Sequence, residues 1–114
     1  MTSRSTTAAF DYGAKPQQRR RAFVDAAAIL EPTTDTQPHG SLGDSAALMA
    51  LMLAHMTADA MHRRGKPAQA LAVVPHLRVL TDAMALSPLD TATRVSCAQA
   101  CRALADLAMS AAHS

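Results

Sequence analysis

The side chains best suited to chemistry in this chain are three that share a spacing. His55, Asp59 and His62 stand at i, i+4 and i+7, so on a helix all three project from one face. Two imidazoles and a carboxylate arranged that way are ligands for zinc or a similar ion. Counting outward from Gly65 sets His76 opposite His55 on the next segment, as a fourth donor. The same pattern describes the solvated end of an amphipathic helix, and that reading is preferred, so neither a metal nor any other cofactor is expected. Cys97 and Cys101 form a second pair. Four apart on a helix, their Cβ atoms would lie about 5–6 Å from one another, beyond disulfide geometry without distorting the helix. As thiolates they would suit a soft ion such as Cu(I). As thiols they are small buried hydrophobes, and nothing beside them in the sequence lowers their pKa. No nucleophile, base and stabiliser can be assembled from neighbouring residues, and none of the four glycines opens a phosphate-binding loop, so no enzyme is expected.

The net charge of +2 conceals an uneven distribution. Residues 1–23 hold five bases (Arg4, Lys15, Arg19, Arg20, Arg21) against Asp11, while the rest holds six bases and eight acids. Three successive arginines on a helix spread over most of its circumference, so Lys15, Arg19, Arg20 and Arg21 together are the candidate surface for a phosphate backbone or an acidic partner. Their position at a helix start opposes the helix dipole, a local cost that an acidic partner would relieve.

These groups need a scaffold, and the most apolar stretch supplies its centre. Residues 46–54 read AALMALMLA, all strong helix formers without a β-branch. Ser41 or Asp44 would cap such a helix at its start, and Arg63, Arg64, Gly65 and Pro67 would end it. His55 and Asp59 follow too closely for a membrane span. At 100° per residue, Met49, Leu53, Met56 and Ala60 form the expected core stripe, while Leu48, Leu51 and Met52 lie on another side. Met52 reads equally as core or as an adaptable contact residue. Ala occurs 26 times, almost half of the 49% hydrophobic content, so this helix has more apolar surface than its alanine-rich neighbours can cover.

Around it, the spacing predicts an irregular arm over 1–15, a short helix over 16–30 that packs by Phe23 or not at all, and a flexible linker over 31–41. Further helices follow over 67–86, with a kink near Pro75, and over 88–111, started by Ser87, Pro88 and Asp90. The core stripes expected there are Val73, Leu77, Leu80 and Met84, then Cys97, Ala100, Cys101, Leu104 and Ala108 with Leu89, Thr93 and Leu107. The fold class is therefore all-α, an antiparallel three-helix bundle (42–64, 67–86, 88–111) within 42–112, plus the N-terminal helix. Gly65 with Ala70, and the run Ala83-Met84-Ala85-Leu86-Ser87-Pro88, resemble the grammar of a tetratricopeptide hairpin over about 40 residues. That resemblance implies a peptide-binding groove or a chaperone role. Pro75, the helix length and the missing aromatic positions depart from it, and no family is assigned.

The function expected from these residues is a cytoplasmic, non-enzymatic interaction module, with no membrane association. It would act as a homodimer or in a complex with another protein. Leu48, Leu51, Met52 and His55 would form the contact face, joined by Phe10 and Tyr12, two of only three aromatic residues in the chain. A nucleic-acid accessory role through the arginines is the alternative, and a metal-binding bundle the second alternative.

Overall fold

The computed structural model describes residues 15–31, 40–86 and 89–113. Among them the chain is all-helical: α1 (Pro16–Leu30), α2 (Gly40–Arg63), α3 (Pro67–Met84) and α4 (Thr91–His113). Phe10 and Tyr12, residues 32–39 of the linker expected over 31–41, and the Ser87-Pro88 start signal lie outside the described residues, while Gly40 and Ser41 of that expected linker already belong to α2.

Each described boundary has a local cause. Pro16 opens α1, where its missing N–H costs nothing. The end of α2 is a glycine cap: Gly65 takes a φ of 74°, its N–H donates to the His62 carbonyl, and the Lys66 N–H donates to the Met61 carbonyl. α3 runs unbroken through Pro75. Two expected starts are corrected. α2 begins at Gly40, so Ser41 and Asp44 lie within the helix rather than capping it. In α4, Leu89 and Asp90 are still outside the helix. Asp90 is the cap, its Oδ1 accepting from the Thr93 N–H at 2.8 Å. Hydrogen bonds from Thr93, its hydroxyl first and its backbone N–H second, hold the Asp90 carboxyl below its ordinary pKa. The cap is therefore at full strength above the ordinary carboxylate range and weakens as pH falls through the lowered value.

The helices close into a ring of neighbours. α1 packs most extensively on α4 and also on α2, α2 on α3, and α3 on α4, while α2 and α4 touch lightly across the middle. One apolar cluster joins all four, drawing Phe23 and Leu30 from α1, Leu53 from α2, Val73 and Leu80 from α3, and Cys97, Cys101 and Leu104 from α4. α1 is thus part of the core. Its buried face is Ala22, Phe23, Ala26, Ala27 and Leu30, whereas Val24 is exposed.

On α2 the expected stripe is corrected. Met49 and Met56 are exposed, and the buried face is Ala46, Ala47, Ala50, Leu53, Ala54, Thr57 and Met61. Alanines at four of these seven positions permit a close approach of the neighbouring helices, and Met49 and Met56 fall outside that face. Thr57 is the polar member of this face and satisfies its hydroxyl locally, donating to the Leu53 carbonyl at 2.8 Å.

α1 has no basic residue in its last turn, and α4 supplies one from outside. Arg94 Nη2 donates to the Ile29 carbonyl at 2.8 Å, satisfying a helix-end acceptor and placing a cation at the negative end of the dipole. Arg102 pairs with Glu31 just beyond. Gly43 of α2 lies so close to the Arg94 guanidinium that a Cβ there would collide with it. Arg94→Met is expected to cost about 1–2 kcal/mol by stranding that carbonyl, read as a lower urea midpoint.

Candidate interaction face on α2

On the outer side of α2, four large apolar side chains share one face. Leu48 is 49% exposed, Met49 50%, Met52 59% and Met56 45%. Their helical angles fall within a 100° sector centred nearly opposite the alanine face. The helix therefore buries its small residues and displays its large ones. The display follows from packing: one face of α2 meets α1, α3 and α4, and the large side chains occupy the face left over.

The expected contact residues divide. Leu48, Met52 and His55 are exposed, with His55 at the edge of the sector. Leu51 is partly buried and packs against the core cluster, so it belongs mainly to the interior. Met49 and Met56 join the face, contrary to their reading as core. The signal that could have placed them outside was the run of small residues Gly43, Ala46, Ala47, Ala50 and Ala54, at i, i+3, i+4, i+7 and i+11, which marks a close-packed seam.

The arginine group does not stay together on the surface. Lys15, Arg20 and Arg21 are exposed, but Arg19 is buried. Burial first, and the neighbouring Arg64 guanidinium second, pull its pKa below the ordinary arginine value. Arg19 thus lies toward the core and the end of α2 rather than on a polyanion-binding surface.

The histidines and Asp59 are likewise not gathered. His55, Asp59 and His62 are exposed and His76 is half-buried on α3. Asp59 pairs with Arg63 at 3.3 Å. No group of three or more His, Cys, Asp or Glu among the described residues could hold a metal ion. No described helix is long and apolar enough to cross a membrane.

Cys97 and Cys101 are free and buried in the core. Burial raises both thiol pKa values; Arg94 opposes this at Cys97. Cys101 is pushed up to about 12, by burial first and by Cys97 second. The folded chain keeps protons that the unfolded chain releases above the ordinary thiol value of 9.0. Stability is then at its full value below that pH and falls as pH rises from 9 toward 12. Cys101→Ala is expected to flatten that slope in denaturant titrations. Alkylation of either thiol should be slow in the native protein and fast after unfolding.

Compared with known protein families, curated proteins and solved structures, the chain matches none.

Proposed function

We propose that the protein is a cytoplasmic, non-enzymatic interaction module whose working surface is the outer face of α2. The observation that carries this reading is the cluster Leu48, Met49, Met52 and Met56, each close to half exposed on one side of one helix. Each has roughly 1 kcal/mol still to gain by full burial, enough together for a reversible contact. Methionine is unbranched and polarizable, so it repacks against surfaces of different shape. An adaptor, an inhibitor or a chaperone-like protein would use such a face in the same way. The free, buried thiols fit a reducing compartment. In this reading α2, α3 and α4 run antiparallel, as the short turn at Gly65 and the short connection before Thr91 favour.

The test is the pair Leu48→Glu/Met52→Glu. Both positions face outward, so the helical circular dichroism and urea midpoint of the protomer should hold within about 0.5 kcal/mol. Binding of an apolar dye and any self- or partner-association should fall sharply. A variant that matches the parent in association, solubility and dye binding alike would sink the reading.

A further inference from the structure

We infer that the chain's own segment Phe10–Tyr12 docks on the Met52–Met56 end of this face, so that a partner meets a surface part of which the chain itself supplies. The inference rests on the interaction reading above and adds the first occupant. Residues 1–14 lie outside the described residues, and two things point to them: the place where the described chain begins, and their own chemistry.

The chain begins at the right end of α2. Arg94 of α4 donates to the Ile29 carbonyl at the end of α1 and lies close to Gly43 at the start of α2. At the opposite end Arg19, one turn into α1, has Arg64 as its charged neighbour. α1 packs on α2 between these points. Lys15, the residue before α1, therefore stands level with the last turns of α2. Met56 lies eight residues before Arg64, about 12 Å along the axis. Tyr12 and Phe10 stand three and five residues before Lys15, so an extended backbone carries them about 10 and 17 Å from it. A helix with its side chains is about 10–12 Å across, so that length rounds α2 from the α1 side and brings Phe10 to Met56. Met52 is one turn further, while Leu48 and Met49 stay open to a partner.

The segment also complements what it would meet. Residues 1–14 hold one acid, Asp11, set between the two aromatics. At the end of α2, Arg63 is engaged by Asp59, while Arg64 neighbours a second guanidinium, that of buried Arg19. A carboxylate brought beside Arg64 offsets that concentration of like charge. In an extended segment residues i and i+2 share a side, so Phe10 and Tyr12 turn to the helix together, and aromatic rings against methionine sulfur are a favourable pairing. A short tether holds the segment at an effective concentration on the order of millimolar, ahead of most free competitors.

The test uses the full chain with isotope-labelled methionine methyls. Ring currents should shift the Met52 and Met56 methyls upfield. Phe10→Leu/Tyr12→Leu should abolish those shifts and leave the Met61 methyl, in the core, where it was. Tyr12 is the only tyrosine and the chain has no tryptophan, so tyrosine fluorescence reports this segment alone. Acrylamide should quench it several-fold more strongly in Met52→Glu/Met56→Glu than in the parent. Methyl shifts indifferent to Phe10→Leu/Tyr12→Leu, or equal quenching of Tyr12 in parent and variant, overturn the inference. If Leu48→Glu/Met52→Glu still lowers dye binding in that case, the interaction reading stands and the whole face is left to another protein; if it does not, both fail. Ring shifts that fade on dilution mean that the segment reaches across to a second copy, and overturn docking within one chain.

Discussion

Phe23→Ala is expected to remove most of the stability of the folded chain. The ring is fully buried, and emptying such a site costs about 3–5 kcal/mol in lost transfer energy and residual cavity. The whole domain has on the order of 10 kcal/mol to lose. The cost should lie near the upper end here, because the surroundings cannot collapse well. The buried residues beside Phe23 on α1 are alanines, Ala22, Ala26 and Ala27, which have no side chain to swing into a void. Phe23 is also the only phenylalanine in the core of the described residues, and it sits on the helix that packs most extensively on α4. Urea titration followed by circular dichroism checks the value. A midpoint within 1 kcal/mol of the parent, in ΔG terms, would mean that α1 is dispensable.

The second large effect reverses the usual ranking of side chains. Ala54→Leu should destabilise the chain by about 1–3 kcal/mol through overpacking, although leucine is the more apolar residue. Ala54 is fully buried, as are Ala46, Ala47 and Ala50 on the same face, and helix axes drawn together over alanine must separate to admit a branched side chain. Met52→Ala, on the outer side of the same helix, should change protomer stability by no more than about 0.5 kcal/mol. The comparison reads out which side of α2 is interior. Equal costs at the two positions would contradict the inverted face.

Pattern reading found what depends on local chemistry. The proline and glycine stops, the buried stripe through Cys97, Cys101 and Leu104, and the Val73 to Leu80 stripe are all properties of a single helix and its immediate neighbours in sequence. It failed on α2, where Met49 and Met56 looked like core because hydrophobicity was weighed by side-chain size. Which side of a helix is interior depends on how near the next helix comes, and the alanines that permit the approach carry a weak hydropathy signal of their own. Arg19 and Arg94 were equally opaque. Arg19 reads as part of a charged cluster at a helix start and yet turns inward beside Arg64, and Arg94, which no sequence pattern singles out, closes the end of α1. Those roles are set by residues 45 and 65 positions away, distances over which no periodicity speaks.

The inverted α2 also decides which sulfur atoms an oxidant meets first. Both cysteines are enclosed, while Met49, Met52 and Met56 stand at the surface. Peroxide reaching the folded chain would therefore convert thioethers to sulfoxides before it touched a thiol. Each conversion makes a flexible apolar side chain polar, on the one face where the interior has nothing at stake. The damage would wet that surface and leave the helices standing, and methionine sulfoxide reductases could reverse it without unfolding the protein.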